Sequence, residues 1–247
     1  MKKFDGEIVD WFILFFIVVF LFLGTYQRNT LWNSEVELWK DCVKKSPEKE
    51  RAHHNLGLAY HELGKWDDAQ EEYEEALSLN PHYSLSMYNL GLVYYRKGLL
   101  DESIHYYKKA IELDSNFPDS FYNLGIAYYQ KDLYGDAVEA YKKCLEAKPD
   151  YENAHINLGL AYKGLRQRAK AIQCFKEELR YHPDHVHAYV ELGLVYKEWG
   201  DYSEALLYLK KALTYPDLPD AEGVRKTIAS IEAAQKQKRG KRIDQED

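Results

Sequence analysis

The chain has 247 residues, 46% hydrophobic and 30% charged, which allows a sizeable core and excludes wholesale disorder. Its formal net charge of −7 argues against nucleic acid as the main partner. Three cysteines, odd in number and widely spaced, make neither a disulfide framework nor a metal knuckle.

The first element is apolar. WFILFFIVVFLFL, Trp11 to Leu23, has no polar break, and extension from Ile8 through Tyr26 gives 19 residues. As a helix this spans about 28 Å, close to the roughly 30 Å of a hydrocarbon layer. Asp10, Trp11 and Tyr26 fall near its ends, where water and headgroups lie. The following GTYQRN has no small-x-small cleavage site, so residues 8–26 read as a retained single-pass anchor rather than a signal peptide. Lys2, Lys3 and the amino terminus precede this segment, and only Arg28 follows closely. The positive-inside rule then places the remainder, 27–247, on the periplasmic or extracytoplasmic side.

A period follows. Gly57, Gly91, Gly125, Gly159 and Gly193 recur every 34 residues, the mark of a solenoid. With each Leu-Gly pair at positions 7 and 8, the units are 50–83, 84–117, 118–151, 152–185 and 186–219. Position 11 holds Tyr60, Tyr94, Tyr128, Tyr162 and Tyr196; position 20 holds Ala69, Ser103, Ala137, Ala171 and Ala205. Position 24 holds Tyr73, Tyr107, Tyr141, Phe175 and Leu209, and Pro81, Pro149 and Pro183 close three of the units. Apolar residues at i, i+3, i+4 and i+7 in two short runs predict two amphipathic helices per unit. In the first unit they cover 51–63 and 67–79, with Gly64 as the stop between them. Gly57 and Ala69 lack bulk, so the paired helices can approach closely there. No unit buries its faces alone; stacking does. Asp132 and Arg166 replace the turn glycine in units three and four, and Glu178 replaces the small residue at position 27.

Both ends of the array read as caps. Residues 27–49 form a junction and half-repeat, because aligning Pro47 with position 32 places Trp39 at 24 and Cys42 at 27. After the last unit, Ala221, Val224, Ile228 and Ile231 follow a 3-4-3 spacing on an otherwise polar helix over 220–237. The remainder, 238–247, in which the basic run that starts at Lys236 continues through Lys238, Arg239, Lys241 and Arg242, is expected to be a solvated, disordered tail.

The residues at positions 7, 8, 11, 20, 24 and 32 resemble the tetratricopeptide repeat (TPR) family. The resemblance implies an all-α chain: the N-terminal transmembrane helix, then a right-handed superhelix of five repeats plus terminal caps. It also implies that the first helices line a concave face through positions 2, 5, 6, 9, 12 and 13. The junction RNTLWNSEVELWKDCVKKSPEKERAHHNLG is similar to the point where membrane helices meet the repeats in the transmembrane-and-tetratricopeptide-repeat proteins and their bacterial relatives. In the eukaryotic members the repeats face the lumen, which implies an exported array here. The large multispanning portion of those proteins is missing, so their glycosyltransferase activity does not carry over.

No stretch reads as catalytic. There is no HExxH, no nucleophile elbow and no paired carboxylates in a plausible cleft. GLAYHELGK places six residues between Gly57 and Gly64 inside a helix, unlike a phosphate loop. In HPDHVH, His182, His185 and His187 cross a repeat junction with no i, i+4 pair and no fourth ligand, so they read as structural or surface residues. Cys42 and Cys144, at position 27, read as small buried residues. No metal and no cofactor is expected.

One polar feature remains. Position 6 is Asn55, Asn89, Asn123 and Asn157, then Glu191. A carboxamide offers donors and an acceptor together, which matches the N–H and C=O of an extended backbone. Beside it, position 9 forms an apolar stripe of Leu58, Leu92, Ile126, Leu160 and Leu194, with Tyr88, Tyr122, Tyr95 and Tyr129 around its middle. Regular amides over an apolar floor suit a protein or extended peptide segment better than a small metabolite. The competing reading is a solvated or intrahelical amide, since Asn and Tyr are common at these family positions. A carboxylate clamp would need more cations than Arg51 and Arg96. The expected function is a non-catalytic, membrane-anchored scaffold. Three alternatives stay open: a structural subunit of a larger membrane complex, an accessory factor of a membrane glycosyltransferase system, and an adaptor facing the cytoplasm.

Overall fold

The computed structural model describes residues 35–243, and among these it contains twelve α-helices and no strand. The anchor expected over 8–26 lies outside the described residues. No described helix is long and apolar enough to cross a membrane. The chain divides into two compact units, one up to Leu113 and one from Asp114 onward.

In the first unit, α1 (Glu35–Lys45) precedes two helix pairs, α2 (Glu50–Glu62) with α3 (Trp66–Leu79) and α4 (Ser84–Arg96) with α5 (Leu100–Leu113). Helix α1 lays Val36, Trp39 and Val43 against Leu56, Ala59 and Tyr60 of α2. In the second unit three pairs follow: α6 (Pro118–Gln130) with α7 (Tyr134–Ala147), α8 (Ala154–Gly164) with α9 (Arg168–Tyr181), and α10 (Val186–Trp199) with α11 (Tyr202–Ala212). Helix α12 (Ala221–Ile243) comes last.

One contact closes every pair. The residue at position 24 lies over the glycine at position 8 and is almost wholly shielded from water: Tyr73, Tyr107, Tyr141, Phe175 and Leu209. A Cβ placed on Gly57 would stand 2.8 Å from the Tyr73 ring, and one on Gly91 2.7 Å from Tyr107. Gly125 meets Tyr141 at 2.5 Å in the same way, and Gly159 meets Phe175 still more closely. The small residue at position 20 is fully buried in each pair. Where Ser103 replaces alanine there, its hydroxyl donates to the Gly91 carbonyl at 2.9 Å, so the polar atom is satisfied inside the core.

The turn inside each pair is equally uniform. Position 15 adopts the left-handed conformation throughout: Gly64 (φ 69°), Gly98 (77°), Asp132 (58°), Arg166 (58°) and Gly200 (77°). This lets the next N–H reach back to the carbonyl of the position-11 tyrosine, as in Lys65 to Tyr60 (3.0 Å) and Gln167 to Tyr162 (2.8 Å). Nothing crowds Gly98 or Gly200, so the demand is conformational and not steric. Asp132 and Arg166 meet it at a cost of about 1 kcal/mol each.

The last helix departs from expectation. Its Val224, Ile228 and Ile231, together with Leu218, pack on Ala205, Leu209 and Ala212. It then runs to Ile243, past the expected end at 237, so the tail expected over 238–247 begins as helix. Lys, Arg and Gln are good helix formers and the stretch has no proline, so the single Gly240 does not end it.

Gly159→Ala should destabilise the protein by about 1–3 kcal/mol, because the buried Phe175 ring has nowhere to move. Gly135→Ala, in open space on α7, should be neutral or mildly stabilising. Urea denaturation followed by helicity distinguishes the two; equal stabilities would remove the close contact as the determinant of pairing.

Candidate functional site

First helices of successive repeats are neighbours within each unit: α2 beside α4, and α6 beside α8. In the first unit Asn55 and Asn89 are half-buried, as are Leu92, Tyr88 and Tyr95, while Leu58 is exposed. Tyr88 leans on the buried Tyr107 ring, centroids 5.9 Å apart. His54 occupies position 5, where Tyr88 and Tyr122 stand in the next two repeats. Its Nδ1 lies 2.9 Å from the Ser86 hydroxyl, and its ring lies between Tyr73 and Tyr83. Burial without a countercharge pulls its pKa down to about 4.

In the second unit two of the expected amides have internal partners. Asn123 Nδ2 donates to the Asp119 carbonyl one turn earlier, at 3.0 Å. Asn157 Nδ2 donates to the Tyr122 hydroxyl at 2.9 Å, crossing from α8 to α6. Tyr122 stacks obliquely on Tyr151 at 4.8 Å, and Tyr151 donates to Asp119 Oδ1 at 2.7 Å. Burial is the main force raising the Tyr122 phenol above its usual pKa, and the Asn157 bond opposes it. A carboxamide has two N–H donors and an acceptor, so one internal bond does not exhaust it. Ile126, Leu160, Tyr122 and Tyr129 pack their inner sides on one core cluster and stay half-exposed outside.

The row changes chemistry at its end. Glu191, at position 6 of the fifth repeat, is buried and takes Lys163 at 3.2 Å, with His187 3.7 Å away. Beyond it lies a feature that sequence reasoning missed, an apolar cavity of about 600 Å³. Its walls include His187, Val190 and Leu194 of α10, Leu218 and Asp220 of the loop between α11 and α12, and Thr227 of α12. Helix α12 falls outside the 34-residue period, so the repeat pattern could not reveal it.

The remaining polar clusters are structural. Glu178 is fully buried with one oxygen 2.9 Å from His182 Nδ1, while His185 Nε2 lies 2.7 Å from Asn153 Oδ1. The other Glu178 oxygen and His185 Nδ1 are buried without hydrogen bonds. Among the described residues no group of His, Cys, Asp or Glu is arranged to hold a metal ion. The three cysteines are free. Burial pushes the thiols of Cys144 and Cys174 up to about 12, far from a reactive thiolate.

Stacked helix pairs closed by a small residue under a ring, with a half-exposed row on the first helices, define an α-helical repeat protein. Specifically, the chain belongs to the tetratricopeptide repeat family: one tetratricopeptide repeat model matches residues 54–118 and 156–221, and a second matches 118–151. Solved structures agree. The chain is similar to crystalline MamA at 30% identity, over 64% of this chain and 93% of that one, with a TM-score of 0.63. It is also similar to YrrB, described as a TPR protein with an unusual peptide-binding site, at 21% identity over 77% and 99% with a TM-score of 0.66. PilF of Pseudomonas aeruginosa matches at 19% identity over 84% and 94%, again with a TM-score of 0.66. No curated protein matches the chain.

Two measurements test this geometry. A double-mutant cycle of Asn157→Ala and Tyr122→Phe should give each single change a loss of about 0.5–1.5 kcal/mol and the pair clear non-additivity. Simple additivity would mean the inter-repeat bond carries no energy. For His54, the unfolded chain binds the proton first, because the folded pKa of about 4 lies below the ordinary 6.5. Its contribution is therefore complete above about pH 6.5 and is lost as the pH falls toward 4, by on the order of 3 kcal/mol. His54→Tyr should flatten that part of the acid dependence in urea titrations at several pH values; an unchanged slope would acquit His54.

Proposed function

We propose that the protein is a non-catalytic scaffold that captures an extended segment of a protein partner along its first helices. The observation that carries this reading is the pairing, in each unit, of half-exposed amides with half-exposed apolar residues on adjacent first helices. Asn55, Asn89, Leu92, Tyr88 and Tyr95 supply it in the first unit, and Asn123, Asn157, Ile126, Leu160, Tyr122 and Tyr129 in the second. Regular amides answer a regular backbone, and the apolar residues receive its side chains. Proteins of this family are in general non-catalytic scaffolds, and YrrB, of the same fold, is described with a peptide-binding site. The apolar run of residues 8–26 supports anchoring in a membrane, and Lys2 and Lys3 support an extracytoplasmic array.

The test is partner capture from carbonate-washed membranes, with mass spectrometry of what is retained. The Asn89, Asn123 and Asn157 triple change to Ala should lower capture by about tenfold or more at wild-type helicity. Undiminished capture would move the binding surface elsewhere. Release of the protein by carbonate would remove the anchor from the reading, and a single fixed assembly on a native gel would favour a subunit of a larger membrane complex.

A further inference from the structure

We propose that the cavity between α10, α11 and α12 is a specificity pocket for one bulky apolar side chain of the captured peptide, with a lysine or arginine beside that residue directed at Asp220. The inference rests on the peptide-capture reading and says which peptide.

Continuity is the first support. Val190 and Leu194 occupy positions 5 and 9, the places that Tyr122 and Ile126 hold in the third repeat, so the pocket is built on the same two positions of a first helix as the half-exposed row. Its volume of about 600 Å³ exceeds one large side chain and leaves room for flanking backbone. That size also falls within the roughly 300–1,000 Å³ of ordinary ligand sites.

Construction is the second. Val224, Ile228 and Ile231 fix α12 to the fifth repeat, yet the helix turns Gly223 toward the cavity. A Cβ there would run into the Asp220 carboxylate, so the glycine keeps the wall low and leaves the acid in place. Asp220 is held by the Gly223 N–H at 2.9 Å. An apolar concavity open to water is unfavourable until something apolar fills it.

Charge is the third, and it selects the neighbour. The lining contains no lysine or arginine, and Asp220 is its one carboxylate. Glu191 stands four residues from His187 on the same helix. An anionic small molecule would meet no cation there. A basic residue on a peptide would meet Asp220.

The experiment uses the full-length chain in lipid nanodiscs and an immobilised library of acetylated random heptapeptides. Wild type should enrich peptides carrying Leu, Met or Phe next to Lys or Arg by about tenfold or more. Thr227→Trp, which fills the cavity from a half-exposed position, should abolish the apolar preference with helicity and melting unchanged. Asp220→Asn, which can still cap α12, should keep the apolar preference and lower the basic one by about threefold. If Thr227→Trp leaves the preference intact while the triple asparagine variant loses capture, the pocket is overturned and the row stands. If Thr227→Trp acts while the triple variant captures normally, the pocket stands and the amide row falls. Failure of wild type to enrich any sequence overturns the pocket proposal. So does loss of self-association in Thr227→Trp by sedimentation, which would make a second copy the occupant.

Discussion

Each repeat depends on a hydrogen atom where a side chain would otherwise be. The missing Cβ at Gly57, Gly91, Gly125 and Gly159 admits an aromatic ring from the second helix, and Gly193 admits Leu209. The ring shields helix backbone and packs the two axes together, and it sets the rotation of the first helix. Once position 8 faces inward, the helical period of about 3.6 residues turns positions 6 and 9 toward the outside of the pair. The amides and the apolar stripe are thus left half-exposed as a consequence of how the core is closed. Phe175 does the same work as Tyr73 and Tyr107, whose hydroxyls are buried without hydrogen bonds. What the site requires is apolar bulk, a ring in four pairs and Leu209 in the fifth, and the phenol oxygens of Tyr73 and Tyr107 are incidental to it.

The turn is the second constraint. A left-handed residue at position 15 ends the first helix and aims the chain back along it, which is why glycine stands at 64, 98 and 200. Asp132 and Arg166 hold the same angle without glycine's freedom, so here the fold overrides local preference. The sequence alone shows these as departures from the repeat. Only coordinates show that the backbone does not depart with them, because the packed pairs on either side determine it.

Much of the architecture was therefore legible from spacing. The helix pairs, the small residue at position 20 and the apolar face of α12 all follow from a 34-residue period and helical periodicity. The polar contacts were not. Tyr122 and Asn157 are 35 residues apart, one period plus one, and nothing in a single repeat suggests that they meet. Position 34 joins position 2 twice, as Tyr151 to Asp119 and as His185 to Asn153, with different chemistry each time. A periodic reading compares like with like at one position. It misses bonds between different positions, and it misses walls supplied by a helix outside the repeat.

Those bonds change what the amide row means. An asparagine tied to a neighbouring repeat is not removed from binding; its orientation is fixed beforehand. Asn157, held by the Tyr122 hydroxyl, presents its amide in one geometry, and Tyr122 is itself held between Tyr151 and the core. A ligand meeting such a group does not have to order it first, a cost of about 0.5–1.5 kcal/mol for each rotamer-rich side chain immobilised on binding. Structural and ligand-facing roles, which look like rivals in the sequence, are compatible in the folded chain. The internal bond uses one donor and sets the direction of the others, and that direction repeats only as faithfully as the ring-over-glycine contact beneath it.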